Sequence, residues 1–263
     1  METRRSSIGL VVVAYMTLCF TLLPIVVLVV AAFNPAEYFT FPPDDWSFRW
    51  FAAFFRDREY QSALRVSIAL AGYSVAIALA VGLPATYALS RYKFAGRNVV
   101  HTFLMSSLFL PRVIWAIALL QFYAVIDLLG TPVGLVMAHA VLVLPYVARM
   151  TLTSFAYVSQ NLEQAARSLG ASPVRSFFEV TLPLVLPGVI VGAVFGFVIS
   201  FTDVVVSVFI SGVRFIPLLV RIYVEQRGQG IDPTAIAASA VVIGVIVILE
   251  LLGERFIKWS RFI

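Results

Sequence analysis

Ionisable and redox-active side chains are scarce in this chain. Asp, Glu, Lys and Arg make up 13% of its 263 residues, against roughly 25% in a soluble domain. The single cysteine, Cys19, lies in an apolar run, which excludes an internal disulfide and a cysteine zinc site. The only histidines are His101 and His139, with no HExxH between them and no metal site expected. No GxSxG turn offers a serine nucleophile, and no GxxxxGK[ST] loop offers a phosphate cradle. The expectation is a protein that is not an enzyme and does not itself hold ATP in such a loop. His139, inside a hydrophobic stretch, reads as a packed, hydrogen-bonded side chain. The net charge of +5 does not point to nucleic acid, because the basic residues flank apolar runs and do not gather into a patch.

What the chain has in abundance is hydrophobic sequence, 61% of it. Six stretches stand out: Ile8–Phe33, Ser62–Leu89, Val99–Val125, Val133–Phe155, Leu184–Ile210 and Ala235–Leu252. Each is continuous and long, unlike the alternating segments of about ten residues in a membrane barrel. A helix needs about 20 apolar residues to cross the hydrocarbon core. Ile8–Phe33 exceeds the roughly 7–15 apolar residues of a secretory signal, so it is expected to be a retained first span. These patterns predict an all-α membrane protein of six transmembrane helices. It reads as a single transmembrane domain over 1–263, with 1–61 supplying the first span and an outer segment and 62–257 a five-span core. Pro24, Pro84, Pro111, Pro145 and Pro187 fall in or at the ends of the first five spans, where each removes a backbone donor and can kink its helix.

Basic residues set the expected orientation. They crowd the short segment RYKFAGRN, with Arg91, Lys93 and Arg97, and recur at Arg4, Arg5, Arg167, Arg175, Lys258 and Arg261. The positive-inside rule then puts both termini and the Glu163 region in the cytoplasm. The segments Asn34–Gln61 and Ser211–Thr234 fall outside, and Trp46, Trp50 and nearby phenylalanines suggest short helices in the interface.

The stretch Glu163–Pro187 reads EQAARSLGASPVRSFFEVTLPLVLP. Glu163–Leu169 favours helix, Gly170 can take the left-handed conformation that ends one, and Ser172-Pro173 is a cap followed by a first-turn proline. Two short helices joined by a glycine corner are expected, with Leu182-Pro183 and Pro187 punctuating the next span. In that span Gly188, Gly192, Gly196 and Ser200 recur every four residues, a small-residue face for close helix packing, either within the chain or against a second subunit. Asp203 lies about two turns beyond Gly196 on nearly the same face and should point into the protein. Arg112 follows Pro111 near the middle of the third span, and Asp127 lies near its outer end. Charge in hydrocarbon is paired or functional. Arg112, Asp127 and Asp203 are therefore candidates for a solute path or an internal Arg112–Asp203 ion pair.

Glu163-Gln164-Ala165-Ala166, then Gly170, then Leu182-Pro183 resemble the EAA signature of permease subunits of bacterial ABC importers. Its usual form is EAA, three residues, G, about nine residues, a hydrophobic residue, one more, then LP. Ser200–Gly212, with Ile216-Pro217-Leu218 and Arg221-Ile222-Tyr223, is similar to the spermidine/putrescine-type permeases. Thr202 stands where that group has a first acid, Arg221 where it often has lysine, and Arg112 is an extra base. The resemblance implies a type I importer permease fold in the bacterial inner membrane. It implies a second, related permease, two ATPase subunits holding ATP and magnesium, an extracytoplasmic binding protein, a lipid environment and no nucleic acid. Glu163, Gln164, Ala165, Ala166, Gly170, Pro173, Leu182 and Pro183 would form the coupling element, with Glu163 as a charge partner for the ATPase. The solute would be a polyamine or another small organic solute such as an amino-acid derivative. A channel or a structural membrane subunit not coupled to ATP is the alternative. A channel, however, needs a polar face on several helices, and only the fifth shows one.

Overall fold

The computed structural model describes residues 2–37, 41–229 and 232–257, and among them the regular structure is entirely helical. Lys258 and Arg261, counted among the expected cytoplasmic charges, lie outside the described residues. In chain order the helices are α1 (Glu2–Ala31), α2 (Arg49–Arg56), α3 (Arg58–Arg91), α4 (Arg97–Met105), α5 (Arg112–Val125) and α6 (Pro132–Tyr157). They continue with α7 (Gln160–Ser168), α8 (Pro173–Ser176), α9 (Leu182–Phe201), α10 (Val205–Ile210), α11 (Leu218–Gln229) and α12 (Pro233–Ile257). Among the described residues, five stretches are long and apolar enough to cross a membrane: Gly9–Ala31, α3, α6, Pro173–Phe201 and Pro233–Arg255. Pro24, Pro84, Pro145 and Pro187 sit inside helices that remain continuous.

The third expected span, Val99–Val125, is not one straight helix. A 3-10 turn, Ser106–Leu108, closes α4, and α5 sets off from Pro111 after a bend of 101°. Pro111 has no N–H to extend α4 and is extended, with ψ 132°, so it starts the next helix instead. At 14 residues α5 is only about 21 Å long. The six-span count therefore holds only with this broken pair taken as one span. The fifth expected span, Leu184–Ile210, is also displaced. Helix begins at Pro173, passes through a five-residue π turn, Phe177–Thr181, and ends at Phe201. The π turn directly precedes Leu182-Pro183, where proline removes a donor from the α ladder. Residues 202–204 then break the helix, and α10 is separate.

The chain up to Gln61 and Ile222–Val245 form one compact unit, and Ser62–Arg221 with the chain from Ile246 onward form another. In the first, Ala31, Ala32, Ile236 and Ala240 make a small core flanked by Leu28, Val29 and Phe51. The Phe33 ring packs against Trp46, Phe48 and Phe51 at centroid distances of 5.0–5.7 Å. The most apolar stretch of α1 buries nothing within the chain.

The second unit is built around α6, the most buried of the long helices. The glycine stripe of α9 faces it. A Cβ on Gly188 would fall 2.3 Å from Ser154 Cβ, and one on Gly192 would lie 3.2 Å from Val147 Cα. On Gly196 it would crowd Val75 and Val147 at 3.2 and 3.4 Å. The stripe packs within the chain, which settles the choice the sequence left open. Ser154 Oγ also donates to the carbonyl of Val185 (3.1 Å), satisfying a polar group at the close approach. Across the bundle, Leu70, Ala116, Tyr123, Leu135, Ala138, Leu142, Val206 and Ile210 join α3, α5, α6 and α10 in one core.

Candidate functional site

Both turns around the Glu163–Pro187 stretch are built by local chemistry. Ser159 Oγ accepts the Asn161 N–H (3.2 Å) and caps α7. At the other end Gly170 N–H donates to Arg167 O and Ala171 N–H to Ala166 O, at 3.0 and 3.1 Å, a left-handed cap with Gly170 at φ +93°. A Cβ at Gly170 would meet nothing within 4 Å, so glycine is needed for conformation and not for space. Ser172 Oγ accepts the Arg175 N–H (3.2 Å), and Pro173 takes the first turn of α8. The two helices and their glycine corner lie where the sequence puts them, except that α8 runs on through the π turn into α9. Gln164, Ala165, Arg167, Pro173 and Pro183 are exposed, Ala166 and Leu182 half-buried. Leu169 and Val174 flank the corner with apolar side chains 90% and 67% exposed.

Glu163 does not share that outward face. Its residue is 8% exposed, and its carboxylate turns into the protein. Tyr87 Oη donates to Oε1 (2.5 Å), Thr181 Oγ1 donates to Oε2 (3.0 Å), and Arg91 Nε lies 3.6 Å from Oε2. The Glu163 backbone carbonyl accepts from Ser176 Oγ (3.2 Å). The expected charge partner for an ATPase is thus an internal residue. A carboxylate in the first turn of α7, beside Arg91 on α3, is more stable paired inside than bare in an apolar cleft. The signature's own spacing explains the difference. With three residues between the triplet and Gly170, residues 164–166 fill the EAA positions, so exposed Gln164 stands where the signature has its acid.

A second polar cluster lies between α6 and the α9–α10 break. His139 is fully buried; its Nδ1 is 2.8 Å from Ser200 Oγ and its Nε2 2.9 Å from Ser207 Oγ. Asp203 is 1% exposed, and its Oδ2 accepts the N–H groups of Val206 and Ser207 at 2.9 and 3.1 Å, capping α10. Arg112 Nη1 lies 3.6 Å from Asp203 Oδ1, which has no hydrogen bond. The Arg112 side chain remains 41% exposed. The bend at Pro111 is what brings Arg112, at the start of α5, to the end of α9.

These features sit on a recognisable chain. Residues 72–261 match the family model described as "Binding-protein-dependent transport system inner membrane component". The protein belongs to that family. The spermidine/putrescine permease protein PotC of Haemophilus influenzae is 30% identical to it over 250 residues, 95% of each chain. The putrescine permease protein PotI of Escherichia coli K12 is 29% identical over 256 residues, 95% of this chain and 89% of that one. A probable molybdenum ABC transporter permease of Haloferax volcanii is 29% identical over 201 residues, 72% of this chain and 74% of that one. Among solved structures, a chain of a bacterial ABC transporter that imports alginate superposes with TM-score 0.73 at 17% identity, covering 97% of this chain and 98% of that one. A MetNI methionine transporter chain gives 0.57 at 18%, covering 77% and 98%. The fold is that of an ABC importer permease.

The protein is therefore a permease, a membrane component and not the ATP-hydrolysing subunit of its system. Of the sequence-predicted polar residues, Arg112 and Asp203 come together and Asp127 does not join them. Asp127 is exposed, with φ +54°, in the turn that ends α5. Ser200, assigned to packing, also bonds to His139. Sequence reasoning missed Tyr87, Arg91 and Thr181 as partners of Glu163. The one available signal was Arg91 ending an apolar span, which reads equally well as a topology mark.

Proposed function

We propose that this permease forms one half of a solute path, completed by a second, related permease. The assembly includes two ATPase subunits, which hold ATP and magnesium, and an extracytoplasmic binding protein; this chain binds no cofactor. Both termini and α7 face the cytoplasm, and α7 with its glycine corner seats in a groove on an ATPase. The observation that carries this is the shape of the corner. α7 is anchored by its buried Glu163 face, and α7 and its glycine corner present Gln164, Ala165, Leu169 and Val174 outward. Alternating access then follows from rigid-body movement of the spans attached to α7. Co-purification decides: the affinity-tagged permease retains a Walker-loop ATPase, and a chain isolated without one would refute the docking.

The solute is a polyamine or a related small amine. Its support is the likeness to permeases named for putrescine and spermidine and the retained buried Asp203. Arg112 favours a second class. A guanidinium 3.6 Å from Asp203 already offsets that acid, which suits a solute bearing a carboxylate as well as an amine, such as an amino-acid derivative. Calorimetry of the associated binding protein with putrescine, spermidine and γ-aminobutyrate separates the two. Binding of the polyamines alone supports the first, and binding of γ-aminobutyrate alone the second.

A further inference from the structure

We propose that the Glu163 carboxylate, held by Tyr87, Arg91 and Thr181, is a latch through which movement of α7 reaches span α3. This rests on the docking of α7 described above and names the route by which its motion enters the bundle. The chain itself joins α7 to α6 on one side and to α8–α9 on the other. Helix α3 is distant in sequence, with Tyr87 lying 76 residues before Glu163, and has no covalent share in the motion.

The contacts divide between the two carboxylate oxygens. Oε1 takes the Tyr87 hydroxyl of α3, while Oε2 takes the Thr181 hydroxyl just before α9 and faces Arg91 of α3. Two further bonds tie the end of α3 to the start of the coupling segment: Arg91 Nη2 donates to Val158 O and Gln160 Nε2 to Ser90 O, both at 3.1 Å. The Arg91 guanidinium also lies over the Phe155 ring at 5.5 Å. The Arg91 and Glu163 side chains are 7% and 11% exposed. Tilting α7 away from α3 would leave each buried charge without its counter-charge, an unfavourable state. Rotation of α7 therefore carries α3 and the start of α9 with it.

The test uses the whole importer in proteoliposomes, with Tyr87→Phe, Thr181→Val, Glu163→Gln and the double variant Tyr87→Phe/Glu163→Gln. Tyr87→Phe keeps the ring that packs on Phe155 and Phe177 and removes only the hydroxyl, so it decides the matter if Glu163→Gln fails to fold. Two quantities are read: the ATPase retained on purification, and solute accumulated per ATP hydrolysed. The probe is radiolabelled putrescine or γ-aminobutyrate, whichever the wild-type importer accumulates. The latch predicts normal ATPase retention and a fall in solute per ATP of about 2- to 30-fold, the range by which single residues modulate coupling. It also predicts that the double variant is no worse than Glu163→Gln alone, since both remove one interaction. Retained ATPase with unchanged solute per ATP in Tyr87→Phe and Glu163→Gln overturns the latch and leaves the docking intact. Loss of ATPase from Tyr87→Phe overturns it too, by making the contact one of assembly. A wild-type permease that retains no ATPase overturns the docking itself, and the latch with it.

Discussion

Adjacent residues Glu163 and Gln164 have opposite surroundings, and their substitutions should differ accordingly. Glu163→Gln leaves Arg91, 7% exposed at its side chain, without a counter-charge, at an expected loss of about 3–5 kcal/mol in stability. Gln164→Ala removes an exposed side chain and should change stability by less than about 0.5 kcal/mol. Thermal unfolding of the purified permease compares them. At the second cluster, Arg112→Met strips Asp203 of the guanidinium near its unbonded Oδ1. A loss of about 1–3 kcal/mol is expected, below that of a fully buried pair because Arg112 is part-exposed. Arg112→Met/Asp203→Asn should recover most of it, because the asparagine oxygen still accepts the α10 N–H groups while the lone charge is gone. If the double variant melts no higher than Arg112→Met, the pair is not what holds Asp203.

The helices show how short-range chemistry and packing share the work. Gly170 ends α7 at φ +93° with open space around it, so Gly170→Ala costs about 1–2 kcal/mol of backbone strain without a clash. Its effect should appear as weaker ATPase retention with the bundle still folded, seen as a lower ATPase-to-permease ratio after washing. Gly188 is the opposite case. It is helical, and a Cβ there would lie 2.3 Å from Ser154 Cβ, so Gly188→Ala must push α9 off α6 at about 1–3 kcal/mol. The melting temperature should fall, and Ser154→Gly should restore part of the loss by reopening the contact. Both glycines and the Ser172 cap were legible in the sequence because their signals lie within a few residues, whereas the Ser159 cap was found only in the structure. The bend before α5 was not legible in the same way, since Pro24, Pro84, Pro145 and Pro187 sit inside helices that continue. What singles out Pro111 is the 3-10 turn before it and the packing of α5 on α10, both set by the tertiary structure.

At the scale of the molecule, composition, hydrophobic run length and short-range turn signals by themselves determined a helical membrane protein, its approximate spans and the place of its glycine corner. These follow from local rules: a bilayer of fixed thickness, caps that reach two or three residues, and a glycine that alone takes φ +93° without strain. Only the tertiary structure decided which way Glu163 turns, what the glycine stripe packs against, and that Arg112 meets Asp203. Each of those depends on residues far apart in the chain: Tyr87 and Glu163 are 76 residues apart, His139 and Ser200 61. No periodicity or spacing motif encodes such a meeting. A carboxylate four residues into a polar helix looks solvent-facing until the fold sets a tyrosine, an arginine and a threonine around it.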